Sequence, residues 1–419
     1  MTPSGLPLSR RGILIGAAAA ATHLGLPPRA EAQPVSDGFV ELRARPVRTL
    51  HGARVAASTM GYEGTVPGPT MRIKRGADLR VRLFNDLAEP TSVHWHGVRV
   101  PNPMDGVPPL TQPPVVPGTS FDYRFRPPDA GTFWYHAPGA AQLDQGLHGA
   151  LIVEEAEPVQ VDRDVALVLA TPGPEGGSLP PALVNGSALP AIAARSGDRL
   201  RLRLINATAA RGLVLRVEGH APWVMAIDGQ PSEPFLARDG RVGLGPGSRV
   251  DLFVDTMQDP GSVAQLVAGD RSEPIARLIY DSGERTRAAR RSDPLALPPN
   301  PLPARIDLKS SLKVEMALAG AKSFEPSTPP LFVVKRGRAV TLAVRNTSGR
   351  SHVIHVHGHS FRLLDRLDDG WKPYWMDSLV VGDQVERIAF VADNPGKWLI
   401  ESRPLEQASN DAGAWFLVS

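Results

Sequence analysis

Residues 70–85 read TMRIKRGADLRVRLFN. A turn carrying Gly76 leads into a segment in which Leu79, Val81 and Leu83 alternate with Arg80, Arg82 and Phe84 and which ends on Asn85. Successive side chains of a β-strand point to opposite faces, so this alternation predicts a strand with one face in a core. The pattern returns twice. Residues 191–206 read AIAARSGDRLRLRLIN and residues 331–346 read LFVVKRGRAVTLAVRN, ending on Asn206 and Asn346. Each copy is followed by a second echo. Val116-Pro117-Gly118 precedes Gly131-Thr132-Phe133-Trp134-Tyr135-His136, Gly245-Pro246-Gly247 precedes Pro260-Gly261-Ser262-Val263, and Val381-Gly382-Asp383 precedes Pro395-Gly396-Lys397-Trp398-Leu399-Ile400-Glu401. Short alternating strands between Gly and Pro turns predict β-sandwiches. Three copies predict three domains, over residues 36–156, 160–285 and 304–419, with 286–303 as an Arg-, Pro- and Ser-rich linker.

Histidines fall at matched places in this repeat. His94-Trp95-His96-Gly97 begins nine residues after Asn85, and His355-Val356-His357-Gly358 begins nine residues after Asn346. The stretch from His352 to His359 holds four imidazoles in eight residues. In a strand His355, His357 and His359 share a face, and neutral imidazole is the commonest protein ligand for a transition metal. The middle copy has Asn206 but only Val214-Leu215-Arg216-Val217-Glu218-Gly219-His220 after it, so the middle domain reads as a spacer. A site shared by the two end domains would lie at their interface, a usual place for ligand sites.

Composition narrows the chemistry. The 419 residues are 42% hydrophobic, enough for real cores, and the 42 prolines and 40 glycines are spread along the chain. The net charge of +3 gives no case for nucleic-acid or membrane-surface binding. There is no cysteine, which excludes disulfides, thiolate zinc sites, iron–sulfur clusters, a cysteine nucleophile and any copper site that needs a thiolate.

The N-terminus combines Ser9-Arg10-Arg11-Gly12-Ile13-Leu14-Ile15, an alanine run to Ala21, and Ala30-Glu31-Ala32. A charged start, a short apolar run and an A-x-A site predict a signal peptide over residues 1–33, and the paired arginines resemble a twin-arginine signal. An ordinary secretory signal or an uncleaved anchor are the alternatives. The expectation is a periplasmic protein with no membrane span after signal cleavage, because no other stretch approaches the roughly 18 apolar residues a span needs.

With these residues in view, the chain resembles a three-domain multicopper oxidase of the bacterial laccase type. The resemblance rests on Thr65-Val66-Pro67-Gly68-Pro69-Thr70, Pro90 to Gly97, Gly131 to His136, Leu147-His148-Gly149-Ala150-Leu151-Ile152-Val153 and His352 to Gly358, with Val184-Asn185-Gly186 and Ile227-Asp228-Gly229-Gln230-Pro231 in the middle. It implies an all-β fold of three cupredoxin-like Greek-key β-sandwich domains. It also implies four histidine motifs, H-x-H-G, H-x-H, H-x-x-H-x-H and H-C-H-x-x-x-H. Together these hold a type 1 copper that accepts electrons and a trinuclear cluster that reduces oxygen.

Two of the four motifs are intact. In the first, His94 matches a type 2 and His96 a type 3 ligand. In the third, His352 matches a type 1, His355 a type 2 and His357 a type 3 ligand. The second keeps His136, but Pro138 stands for its other histidine. The fourth falls at Glu401-Ser402-Arg403-Pro404-Leu405-Glu406-Gln407 and is gone. Glu401 and Arg403 replace the type 3 histidines, Ser402 the type 1 cysteine and Gln407 the last type 1 histidine. His352 is then vestigial.

What remains is one type 2-like position at His94 and His355, with His96, His136 and His357 beside it and Glu401 as an optional carboxylate. The expected cofactor is a single copper ion, with zinc or no metal as alternatives. The expected function is a copper-binding, oxidoreductase-family protein without an ordinary laccase cycle, working with a small-molecule reductant or a cell-envelope protein. A non-enzymatic periplasmic scaffold, like the copper-free cell-division relative of the family, and a metal chaperone are the rivals. His148 and His220 read as turn or surface residues. His359, Trp134, Tyr135, Trp398 and the Met104-Asp105-Gly106 turn read as structural.

Overall fold

The computed structural model describes residues 38–48, 50–51, 54–55, 59–171, 182–270, 272–287, 291–318, 327–364, 374–406 and 412–419. Residues 1–33, where a signal peptide is expected, and Gln407 lie outside them. Regular structure among the described residues is β apart from one short α-helix, Ala140–Asp144, and two single 3-10 turns.

The three echoes become three equivalent strands. Leu79–Asn85 pairs in parallel with Val40–Val47 and antiparallel with Ser120–Phe125. Arg199–Asn206 does the same between Arg163–Ala170 and Arg249–Asp255, and Ala339–Arg345 between Leu312–Ala317 and Val385–Val391. The terminal asparagines have one shared task. Each buried side-chain amide donates to two backbone carbonyls: Asn85 to Glu89 and Val115, Asn206 to Arg211 and Leu244, Asn346 to Arg350 and Val381.

A second sheet completes each sandwich. In the first it runs Met71–Lys74, His148–Glu154, Gly131–His136, His94–His96. In the third it runs Phe332–Val334, Ala412–Val418, Gly396–Pro404, His352–Val356, Ser378–Val381. The two histidine strands thus occupy the same position, each beside the strand that opens on Gly131 or Gly396. Apolar side chains of the two end sandwiches form one continuous core, with Trp95 and Tyr135 of the first joined to Ile354 and Trp398 of the third. A smaller cluster, including Trp134, Ile152, Val168 and Ile205, seals the first sandwich to the second.

The middle sandwich departs from the sequence expectation in an informative way. Leu79, Val81 and Leu83 are buried as the alternation predicts, but in Arg199–Asn206 the arginines are buried too. Their face meets protein instead of water. Arg201 pairs with Asp251 at 2.6 Å and Glu155 at 2.7 Å, and Arg203 pairs with Asp164 at 2.7 Å and donates to Thr132 of the first sandwich at 3.0 Å.

Arg249 goes further and ties all three sandwiches together. It is fully buried, donates to both oxygens of Asp377 in the third sandwich at 2.8 and 2.5 Å, and reaches the Thr132 carbonyl of the first at 3.3 Å. The glycine of the first histidine motif is what makes room. A Cβ on Gly97 would sit 2.1 Å from the Arg249 guanidinium and 2.6 Å from the Asp377 carboxylate, at a backbone φ of +82°.

Two expectations follow. Gly97→Ala should lose about 2–4 kcal/mol of unfolding free energy, from steric conflict with a buried ion pair plus the left-handed backbone. A loss below about 1 kcal/mol in urea unfolding would show that the pair can move aside. Burial alone would raise the Asp164 pKa, but hydrogen bonding and attraction to Arg203 outweigh it and hold it below the ordinary 3.8. A lowered carboxylate stabilises the fold above its unfolded pKa and loses that contribution as pH falls through the folded pKa. Asp164→Asn should therefore cost about 1 kcal/mol at neutral pH, with the gap to the parent closing below about pH 4. A gap independent of pH would refute the assignment.

Candidate metal centre

Each histidine is placed by the face of its strand. In His94–His96 both imidazoles point one way and Trp95 points into the core against Tyr123 and Phe125. His136 lies directly across from His94. In the third sandwich Glu401 lies directly across from His355, and His357 follows at the strand end. The end sandwiches therefore bring His94, His96, His136, His355, His357 and Glu401 together, all buried. His96 and His355 stack with centroids 3.7 Å apart, and His94 lies 4.1 Å from His357. His359 does not join them. It turns into an aromatic nest of Phe390, Trp398 and Phe416 and bonds the His357 carbonyl.

The hydrogen bonds fix the tautomers at the centre. His94 Nδ1 donates to the Asp105 carbonyl at 2.8 Å and His355 Nδ1 to the Asp377 carbonyl at 2.9 Å. Their Nε2 atoms then face each other across the domain boundary at 3.3 Å with lone pairs inward. Two acceptors at that distance need a cation between them, either a proton on one or a metal ion bound by both. Two imidazoles on one ion, each at about 2.0–2.1 Å, have nitrogens roughly 3–3.4 Å apart. The donor set fits one such ion. His357 adds a buried Nε2 that has no hydrogen-bond partner.

A carboxylate stands behind each side of this pair, and sequence reasoning missed both. Asp105, assigned only a structural role above, is fully buried with its oxygens 3.2 Å from His94 Nδ1 and 3.1 Å from His357 Nδ1. Burial opposes its charge, but the two imidazoles outweigh burial and hold it below the usual carboxylate range. Asp377 lies 3.3 Å from His355 and 3.5 Å from His96. Burial alone would push its pKa up, yet Arg249 keeps it ionised. The H-x-H spacing marks neither carboxylate; only an acid on each flanking loop hints at them. The middle sandwich is thus no mere spacer: Arg249 orients Asp377.

Electrostatics separate the imidazoles. Burial would lower His94, but the charge of Asp105 more than offsets it and raises the pKa. His96 and His136 are pushed well below the ordinary value, chiefly by burial and then by neighbouring imidazoles. His357 is lowered to about 4 for the same reasons. Burial thus keeps His96, His136 and His357 neutral at neutral pH, and neutral imidazole is the ligating form.

The other family positions do not fit copper. His352 lies on the opposite strand face from His355, and its Nδ1 meets the Ser402 hydroxyl at 3.0 Å while Nε2 meets Ser348 at 3.1 Å. A thiolate is absent there and everywhere in the chain. Arg403 donates to Glu401 through Nε at 2.8 Å and Nη2 at 2.5 Å. A guanidinium cannot deprotonate and opposes a dication beside it. The residues present do not fit a type 1 copper or a complete trinuclear cluster.

Two readings of isolated histidines are settled. His148, expected at a turn or surface, is buried in the strand His148–Glu154, and burial lowers its pKa to about 4. His220 does sit at a turn, half-buried, bonded to the Tyr280 hydroxyl at 2.6 Å.

Comparison with known proteins gives the family. Three multicopper oxidase domain models match residues 44–158, 119–274 and 298–419. The chain is 29% identical to the multicopper oxidase MmcO of Mycobacterium tuberculosis, over 86% of this chain and 82% of that protein. Among solved structures, a multi-copper oxidase from Pseudomonas thermotolerans superposes with a TM-score of 0.81 at 32% identity, covering 90% of this chain and 98% of the other. Lac15 from a marine microbial metagenome gives 0.79 at 32% identity, covering 92% and 100%. With all three sandwiches matched, and with no cysteine for a type 1 site, the chain belongs to the multicopper oxidase family as a member that has lost its type 1 thiolate.

Proposed function

We propose that this protein binds one copper ion between His94 and His355 and does not run the four-copper oxygen-reduction cycle. The observation that carries the reading is the pair of inward-facing Nε2 atoms, each with its Nδ1 committed to a backbone carbonyl. His94 and His355 would hold the ion, with His357 and His96 alongside. A bound copper would supply one-electron redox chemistry and an open coordination position. The protein's own contribution is orientation and dryness. Asp105 and Asp377 fix the imidazole rings, and such supporting partners typically carry 10–100-fold in metal affinity. Burial excludes bulk water.

Ser402 supports the negative half of the proposal. A hydroxyl bonded to His352 offers no thiolate path for electrons. The same observation favours a second reading, in which the ion is held without turnover in a periplasmic store, chaperone or envelope scaffold. Consumption of a small-molecule reductant separates the two readings. We also propose export by the twin-arginine route. Arg10→Lys with Arg11→Lys should leave the precursor in the cytoplasm on fractionation, and normal export of that variant would sink the assignment.

Protein from copper-replete cells should contain one copper per chain by elemental analysis. It should give a type 2 paramagnetic resonance signal and no intense blue band. His94→Ala or His355→Ala should each weaken copper binding by more than the roughly 100-fold that a supporting residue carries. Copper-free wild type would refute the proposal, as would a blue, phenol-oxidising enzyme.

A further inference from the structure

In the middle sandwich, Ile227 to Pro231 forms the tip of the hairpin that joins Trp223–Ile227 to Gln230–Leu236. Ile227 pairs with Gln230, which leaves a two-residue turn of Asp228 and Gly229 at φ of +48° and +76°. Asp-Gly is a preferred pair for such a turn. The tip is wedged between the two end sandwiches. On one side the Gly229 backbone packs on the first sandwich. A Cβ on Gly229 would sit 2.8 Å from the Phe133 ring, and one on Gly131 would sit 2.1 Å from the Gly229 carbonyl oxygen. On the other side the buried Asp228 side chain enters the third sandwich.

There its Oδ2 accepts two successive backbone N–H groups, those of Asp377 and Ser378, each at 3.2 Å. Oδ1 accepts the Arg249 N–H at 2.9 Å. The Ser378 N–H belongs to the same peptide unit as the Asp377 carbonyl, and in a planar trans peptide the two point in opposite directions. An oxygen that holds the N–H therefore aims the carbonyl. That carbonyl receives His355 Nδ1 at 2.9 Å. This contact is separate from the Asp377 side chain, which Arg249 holds.

We propose that Asp228 is a positioning residue for the metal centre: by holding the Asp377–Ser378 peptide it fixes His355 as the Nδ1–H tautomer, with Nε2 aimed at His94. The inference deepens the one-copper reading and rests on it for metal affinity, but not for the tautomer.

The test compares two substitutions in the full exported chain. Asp228→Gly removes the carboxylate without strain at positive φ and leaves Arg249 paired with Asp377. Asp228→Asn keeps an oxygen at the same reach, and Asn tolerates this turn. In metal-free protein carrying isotope-labelled histidine, ring-nitrogen NMR should show His355 as one Nδ1–H tautomer in wild type and Asp228→Asn, and as a mixture in Asp228→Gly. Cu(II) titrated against a competing chelator should bind Asp228→Gly roughly tenfold more weakly than wild type, with an altered copper hyperfine splitting. Asp228→Asn should keep the wild-type splitting and lose less affinity than that. Thermal unfolding checks that each variant folds. If Asp228→Gly does not, Asp228→Ser, whose hydroxyl reaches one bond less far, replaces it with the same expectations. A folded carboxylate-free variant with the wild-type tautomer and splitting overturns the proposal. So does an Asp228→Asn protein as disturbed as Asp228→Gly, which would assign the carboxylate to charge balance around Arg249. Wild type that binds no copper would sink the one-copper reading, and the tautomer comparison would still judge Asp228.

Discussion

The ion pair between Arg249 and Asp377 is the contact on which the rest of the centre depends. It lies buried where three sandwiches meet. Taking two charges out of solvent is costly, and a pair at such a site persists only with good geometry and further hydrogen bonds. Here the guanidinium is saturated by the Asp377 carboxylate and by the carbonyls of Thr132, Asp228 and Gly247. The Asp377 backbone in turn receives Nδ1 of His355, and its side chain faces His96. An arginine from a sandwich with no metal-type histidine thereby sets the angle of two imidazoles in the other sandwiches. The cleared space at Gly97 belongs to the same arrangement.

Much of this was legible in the sequence, but unevenly. The period-two alternation in residues 79–85 and 339–345 located real strands, and the shared Asn endings marked equivalent loops. Histidine spacing located the site because i and i+2 on a strand must share a face. Alternation could not reveal what covers the polar face. For Arg199, Arg201 and Arg203 that cover is acidic protein, so a pattern that usually means solvent meant an internal charge network. Asp105 and Asp377 were barely hinted at, for another reason. They act on imidazoles 252 and 22 residues away, and nothing in one-dimensional spacing encodes those contacts.

The losses at the family positions are not scattered damage. Ser402 replaced a thiolate and settled into hydrogen bonding with His352. Glu401 and Arg403 form a matched pair whose charges cancel, and Arg403 also satisfies the carbonyl of Pro138. A buried histidine pair exchanged for one charge alone would have left an uncompensated ion in a dry interior, a change of several kcal/mol. The observed combination keeps the interface between the end sandwiches hydrogen-bonded without metal, while the donors of the intact motifs remain aimed inward.

The facing nitrogens of His94 and His355 come from residues 261 positions apart. At ribosomal rates of about 5–20 residues per second, roughly 10–50 s separate the emergence of one half of the pair from the other. During that interval the imidazoles of the first sandwich have no counterpart. A nascent or truncated chain therefore offers a metal ion only fragments of a site. An ion shared by His94 and His355 could therefore be captured only after the last third has docked onto the first.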